Sequence, residues 1–374
     1  MLDKEVEMTN ISILGTGRLG LCLALMLERA GYNVSGLDIR EDYVESLNSK
    51  TYRTIEPQVE QFLSAATNFK ATLNLEESIS HSDILFITVR TTSMPDGEYD
   101  CSQVGILVDD ILELEPFEET KYLIISCNVN PGFSDGVQER LKDHNCVVCY
   151  NPEWIAQGSI LRDQMYPDVV VIGSNDETAS DIIERIYTTA CPGDPVFKHM
   201  DRLSAELTKI SLNCYLTAKI SLANMIGDLA AKVGGDPDKI LEAIGSDKRI
   251  GPKYIKYGYG YGGPCFPRDV RAFIHYANKN GSDATMVEAT DKNNKFHIAF
   301  QLRQFFDAHP DKSEVIEFDT VTYKPGVIIL EESQQLLYAT KIAEEGYKVV
   351  IKEHIDVISQ LRKTHGDLFT YIER

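Results

Sequence analysis

Asn10-Ile-Ser-Ile-Leu14 runs into Gly15-Thr-Gly17-Arg-Leu-Gly20, and an apolar stretch, Leu21-Cys-Leu-Ala-Leu-Met-Leu27, follows at once. This is a buried strand, a glycine turn and the start of an apolar helix. Gly15 makes the tight turn, Gly17 lets backbone approach a pyrophosphate, and Gly20 lets helix and strand pack closely. Phosphates would sit on the helix N-terminus, where unpaired N–H groups and the dipole favour anions. Thr16, Arg18 and Leu19 fill the turn between the glycines. Asp38 falls 18 residues after Gly20, at the end of the next β-branched run. A carboxylate there accepts ribose hydroxyls and repels a 2′-phosphate, which favours NAD over NADP. Arg40 is the counter-argument, a surface arginine being its blander reading.

Working outward, residues 10–14, 33–38, 84–89, 122–126 and 146–150 read as buried strands, with helices at 17–31 and 41–49. Strands alternating with helices predict parallel βαβ units and a Rossmann-type doubly wound α/β sheet. Another strand (169–172) and a helix after Asp176 precede a Pro/Gly break at 191–195. Residues 201–233 then hold no Pro or Gly except Gly227, with apolar residues at helical spacing. Such a helix is about 50 Å long, enough to bridge domains or subunits. Its apolar residues Ile220, Leu222, Met225, Ile226 and Leu229 suggest a dimer core. Helical segments follow at 237–245, 268–280 and 283–307; the tail from 312 alternates strand and helix, with a helix expected over 332–345. The expected domains are 1–198 (NAD-binding), 199–308 (all-α, long helix and cysteine loop) and 309–374 (small α/β).

The chain has 374 residues and a net charge of −20, with 57 Asp and Glu against 37 Lys and Arg. That balance argues against nucleic-acid or anionic-membrane partners, which need a positive field. Nothing approaches an 18-residue apolar run, so no transmembrane helix is expected, and the polar, acidic first ten residues do not read as a secretory signal. Eight scattered cysteines in mostly apolar context read as cytoplasmic thiols. Cys146 and Cys149 lie three apart in a strand and so face opposite ways, which argues against a metal pair; no metal site is expected.

Tyr257-Gly-Tyr-Gly-Tyr-Gly-Gly-Pro-Cys265-Phe-Pro-Arg-Asp269 makes a poor helix or strand and a good loop for close backbone approach to a ligand. A lone cysteine is usually a small buried hydrophobe. In this loop, with Arg268 and Asp269 beside it, Cys265 could be activated as a thiolate. Lys209 and Asn213 are four apart on the long helix and share a face. Both could donate to an anion, although solvated helix surface explains the spacing equally well.

Asn151-Pro-Glu-Trp-Ile-Ala-Gln-Gly158, Ala205-Glu-Leu-Thr-Lys-Ile-Ser-Leu-Asn213, Asp247-Lys-Arg-Ile-Gly251 and Gly262-Gly-Pro-Cys-Phe-Pro-Arg-Asp269 resemble, in order and spacing, the motifs of the UDP-glucose/GDP-mannose dehydrogenase family. With the glycine turn they cover roughly residues 10–280. The resemblance implies NAD-dependent oxidation of a nucleotide hexose at C6 to the uronic acid, two NAD per turnover, by a homodimer built on the central helix. It implies Cys265 as nucleophile and Lys209 and Asn213 at the developing oxyanion. Asp269 would hold water and accept protons, and Glu153 would act as base. Asn128 stands where the family positions water with a threonine. Val89, Arg90, Thr91, Gln157 and Arg268 would join the turn and Asp38 around NAD. Trp154, Ile155, Tyr257, Tyr261 and Gly262 would line the substrate, Arg249 and Lys256 would reach its diphosphate, and Tyr323 and Lys324 would close on it.

Asn-Pro-Glu plus an aromatic at 151–154 resembles the UDP-glucose and GDP-mannose branches more than the N-acetylhexosamine ones, and UDP-glucose is favoured. The departures lie late in the chain. Gln157 replaces a glutamate. Val327-Ile-Ile-Leu-Glu331 replaces acidic residues and an arginine that reaches NAD, and residues 312–374 are fewer than the family's usual C-terminal region. Glu331 is expected at the start of a helix, where an acid suits the dipole. Two alternatives stay open: a catalytically weak nucleotide-sugar-binding homologue, and GDP-mannose as substrate.

Overall fold

β-Branched runs supply the strands of the first half: β1 (Asn10–Leu14), β2 (Asn33–Leu37), β3 (Phe69–Thr72) and β4 (Ile84–Ile87), then a small hairpin of β5 (Thr92–Ser93) and β6 (Tyr99–Asp100), then β7 (Lys121–Ile125), β8 (Cys146–Tyr150), β9 (Val169–Gly173) and β10 (Val196–Met200). The computed structural model describes residues 9–374. Eight of these strands form one sheet in the order β10-β9-β8-β7-β4-β1-β2-β3. Every pairing is parallel except β8 with β9, which meet antiparallel at the single pair Tyr150–Gly173. The sheet is buried on both faces. Ile11, Ile13, Phe86 and Cys149 join one apolar cluster, and Leu14, Leu85, Ile87, Cys146 and Tyr150 join the other. Cys146 and Cys149 therefore do face opposite sides, as the period of two requires. All eight cysteines are free thiols.

The strand order reverses at β1, which pairs with β2 on one side and β4 on the other. Leu14 and Ile87 are register partners, so the glycine turn after β1 and residues 88–91 after β4 leave the same carboxyl edge. That switch point is where doubly wound sheets bind their ligands.

The helix Arg202–Val233 spans 32 residues. The chain divides into two compact units after Lys209, inside this helix. The second unit continues with helices Pro237–Gly245, Phe266–Lys279 and Thr285–Ala308. It ends in a parallel three-stranded sheet, β11 (Val315–Phe318), β12 (Lys348–Glu353) and β13 (Thr370–Glu373), in the order β11-β12-β13. Ala339, Ile342, Ile351, Val357 and Leu361 pack its core.

The late helix expected from residue 332 starts two residues further on, at Gln334. Ser333 is its cap, accepting from the Leu336 N–H at 3.2 Å and donating to the Val321 carbonyl at 2.7 Å. A serine whose hydroxyl serves both chain segments fixes that start. Glu331 is exposed and outside the helix, so the dipole advantage expected for it is absent. Among the described residues no helix is long and apolar enough to cross a membrane.

Candidate active site

Gly15 adopts φ +102°, and a Cβ there would meet Val89 and the Thr88 backbone at about 3.0 Å. A Cβ on Gly20 would lie 2.1 Å from the Gly15 carbonyl oxygen, so helix and strand can meet only because Gly20 has none. Thr88 donates to that same carbonyl at 2.6 Å. Gly17, by contrast, caps the helix Arg18–Arg29 with open space where a Cβ would stand, nothing lying within 4 Å of it. The first helical turn holds no acid. An open, acid-free N-terminus is what a pyrophosphate needs, so the turn fits a dinucleotide. Thr16 is buried with its hydroxyl toward Asp38, and Leu19 packs partly buried on the core. Arg18 reaches Gln157 at 3.5 Å, tying the turn to the 151–158 segment. Val89 is half-buried, Thr91 buried and Arg90 exposed.

Asp38 is 7% exposed and does not stand alone. Arg40 donates from Nε to Oδ1 and from Nη2 to Oδ2, both at 2.8 Å, and its backbone N–H also reaches Oδ1 at 3.1 Å. The guanidinium lies 4.0 Å over the Tyr43 ring, whose hydroxyl donates to the Thr16 carbonyl. Arg40 is thus not an idle surface arginine; it orients the Asp38 carboxylate.

Glu153 is buried, with Oε1 in no hydrogen bond. Burial pushes its carboxyl up to about 7, against the downward pull of Gln164 and the Lys209 ammonium. Lys209 donates to the Glu153 backbone carbonyl at 2.6 Å, with Nζ 4.8 Å over the Trp154 ring. Trp154 and Ile155 are both half-buried. Sequence reasoning passed over Glu56, whose two oxygens accept the Gly158 and Ile160 N–H groups at 2.9 and 2.7 Å and so brace the segment bearing Glu153. It also passed over Glu206, which accepts from Gly132 and Ser134 at 2.5 and 2.9 Å and braces the loop after half-buried Asn128. These partners lie 72 to 104 residues away in the chain, so no local pattern marks either acid.

In the second unit Cys265 is the N-terminal cap of the Phe266–Lys279 helix and is half-buried. Asp269, fully buried, donates its backbone N–H to the Cys265 carbonyl at 2.8 Å. Asn213 donates to Asp269 Oδ2 at 2.5 Å, and Arg268 donates to Oδ1 at 3.1 Å. Asn213 is therefore a buried structural partner, not solvated helix surface. Tyr261 is buried, and Gly262 lies where a Cβ would be 2.2 Å from the Glu332 carbonyl. The Tyr323 ring packs on Gly263, with half-buried Lys324 beside it. Tyr257 is half-buried; Lys256 is exposed. Arg249 is exposed and hooked onto Asp247 at 2.6 Å.

Residues 9–191 match the UDP-glucose/GDP-mannose dehydrogenase family's NAD binding domain, and residues 203–296 match its central domain. The chain belongs to this family. A UDP-glucose 6-dehydrogenase of Rickettsia bellii is 32% identical over 345 residues, covering 90% of this chain and 79% of that protein. The structure of a UDP-glucose dehydrogenase from Pyrobaculum islandicum superposes with TM-score 0.90 at 28% identity, covering 100% of this chain and 88% of that one. A UDP-D-ManNAc dehydrogenase structure from Pyrococcus horikoshii shares the fold, with TM-score 0.81 at 23% identity over 92% and 83% of the two chains. This family member is thus a nucleotide-sugar dehydrogenase with an NAD-binding Rossmann domain.

Proposed function

We propose that this dehydrogenase oxidises UDP-glucose at C6 to the uronic acid in two steps, with Cys265 as the covalent nucleophile. The supporting observation is Cys265 at a helix N-terminus, one turn from a buried Asp269 held by Asn213 and Arg268. Positive helix-end potential favours negative sulfur. NAD supplies the hydride acceptor twice, first for the C6 alcohol and then for the sulfur-bound adduct. Cys265 Sγ adds to the C6 aldehyde, giving a thiohemiacetal; after the second oxidation the adduct is a thioester. Water then cleaves the C–S bond, releasing the carboxylate and returning the thiol. Glu153, with a carboxyl near 7, can take the water proton at neutral pH and give it up again. Lys209, Asn213 and Asn128 are the donors assigned to the oxyanion and the water, and Asp269 fixes Asn213 in its place. The Asp38–Arg40 pair orients NAD at the ribose, with Gly15, Thr16 and Gly17 at the pyrophosphate.

UDP-glucose is preferred because the Rickettsia bellii and Pyrobaculum islandicum relatives are UDP-glucose dehydrogenases, and because the motif at 151–154 is of that type. The exposed Tyr215, Leu222 and Leu229 recur every seven residues on the long helix, with Met225 and Val233 alongside, and support a homodimer. Free buried thiols fit a cytoplasmic enzyme. A second reading, nucleotide-sugar binding with little catalysis, draws on exposed Glu331 standing where the family has an arginine. NADH formation with UDP-glucose, GDP-mannose and UDP-N-acetylhexosamines separates the readings. NADH with UDP-glucose alone is the expected result; binding without NADH would favour the second reading.

A further inference from the structure

Tyr257 to Gly262 is glycine-rich, yet its backbone is pinned at more than one residue. Gly258 N–H donates to Asn224 Oδ1 at 3.1 Å. Tyr261 N–H and carbonyl both bond the Asn294 amide at 2.9 Å. The Gly258 carbonyl accepts from two side chains, His297 Nε2 at 2.6 Å and Gln301 Nε2 at 3.1 Å. Asn294, His297 and Gln301 lie on one face of the helix Thr285–Ala308, at spacings of three and four.

The imidazole of His297 is fully buried. Its Nδ1 lies 2.9 Å from both oxygens of Asp228 on the long helix. The ring therefore ties the loop carbonyl to the long helix, one nitrogen facing each. Tyr257 completes the cluster: its hydroxyl donates to Asp228 at 2.9 Å and its ring meets His297 edge-on at 5.7 Å. Gly227 explains itself here. A Cβ on it would lie 2.0 Å from the Tyr257 ring, so the long helix tolerates its one internal glycine to seat that ring.

We propose that the Asp228–His297 pair positions the 257–262 loop to bind the nucleotide sugar. His297 is a positioning residue and touches no substrate. The inference rests on the proposed function only in taking this loop as substrate-lining. Without the pair the Gly258 carbonyl keeps only Gln301 of its two side-chain donors. The loop then loosens, and binding suffers before chemistry does.

The test compares native protein with His297→Gln, which keeps one neutral donor, and Asp228→Asn, each checked for an intact melting transition. KM for UDP-glucose in His297→Gln should sit about tenfold above the native value at neutral pH, the scale of one buried hydrogen bond left unmade, while kcat changes little. Asp228→Asn should raise KM in the same direction. Amide exchange of residues 257–262, measured without substrate and corrected for intrinsic rate, should show protection in native protein and its loss in both variants. An identical KM in native protein and His297→Gln, or loop exchange unchanged by either substitution, overturns the proposal. A panel without any nucleotide-sugar turnover overturns the proposed function instead, while loss of loop protection in the variants still supports the pair's role.

Discussion

Glu153 and Asp269 are both buried acids flanked by polar groups of the long helix, and their surroundings differ. Lys209 donates to the Glu153 backbone carbonyl, and one carboxyl oxygen of Glu153 has no hydrogen-bond partner among the described residues. Asp269 has an amide on one oxygen and a guanidinium on the other. An incompletely satisfied acid in a dry site holds its proton toward neutrality; a fully satisfied one is held in place by its hydrogen bonds. The family motifs carry both as acids. Only the packing separates a proton carrier from an electrostatic anchor.

Cys265→Ser carries the largest expected effect. Serine is a far weaker nucleophile at neutral pH, so uronic acid formation should fall at least about a thousandfold with NAD binding intact by titration. Glu153→Gln should lower kcat about a hundredfold or more and remove the limb of the pH profile that rises through about 7. The same substitution has a stability signature. The folded-state pKa is raised from 4.5 to about 7, so the group's contribution is fully present below 4.5 and is lost as pH rises through about 7. Across that window the native protein should lose about 3 kcal/mol relative to Glu153→Gln, read by denaturant melts at about pH 4.5 and about pH 8.

Asp38→Ala should weaken NAD about tenfold and raise NADP use, because it removes the ribose acceptor and frees the Arg40 guanidinium for a 2′-phosphate. Unchanged cofactor preference would place Asp38 elsewhere. Gly227→Ala has the smallest expected effect. It should cost about 1–3 kcal/mol by displacing the Tyr257 ring, seen as a lower melting temperature.

The glycine turn, the early strands and the long helix are legible in the sequence because each rests on local period and local turn chemistry. Cys265, Asp269 and Asn213 are legible as candidates because their motifs are contiguous. Their partnerships are not, because Asn213 and Asp269 lie 56 residues apart. Arg40 is two residues from Asp38, yet its role depends on a side-chain fold-back that spacing does not encode. His297 sits among apolar and amide residues and gives no periodic signal; its meaning comes from Asp228, 69 residues earlier. The start of the late helix is set by Ser333, whose cap depends on the Val321 carbonyl 12 residues before it.

The central claim is a four-electron oxidation through a Cys265 adduct. Counting NADH released per UDP-glucose consumed, with a carbonyl trap present, addresses it directly. The account predicts two NADH per sugar and no trapped aldehyde from the native protein, with no uronic acid from Cys265→Ser. One NADH per sugar with trapped aldehyde, or two NADH per sugar from Cys265→Ser, would contradict it.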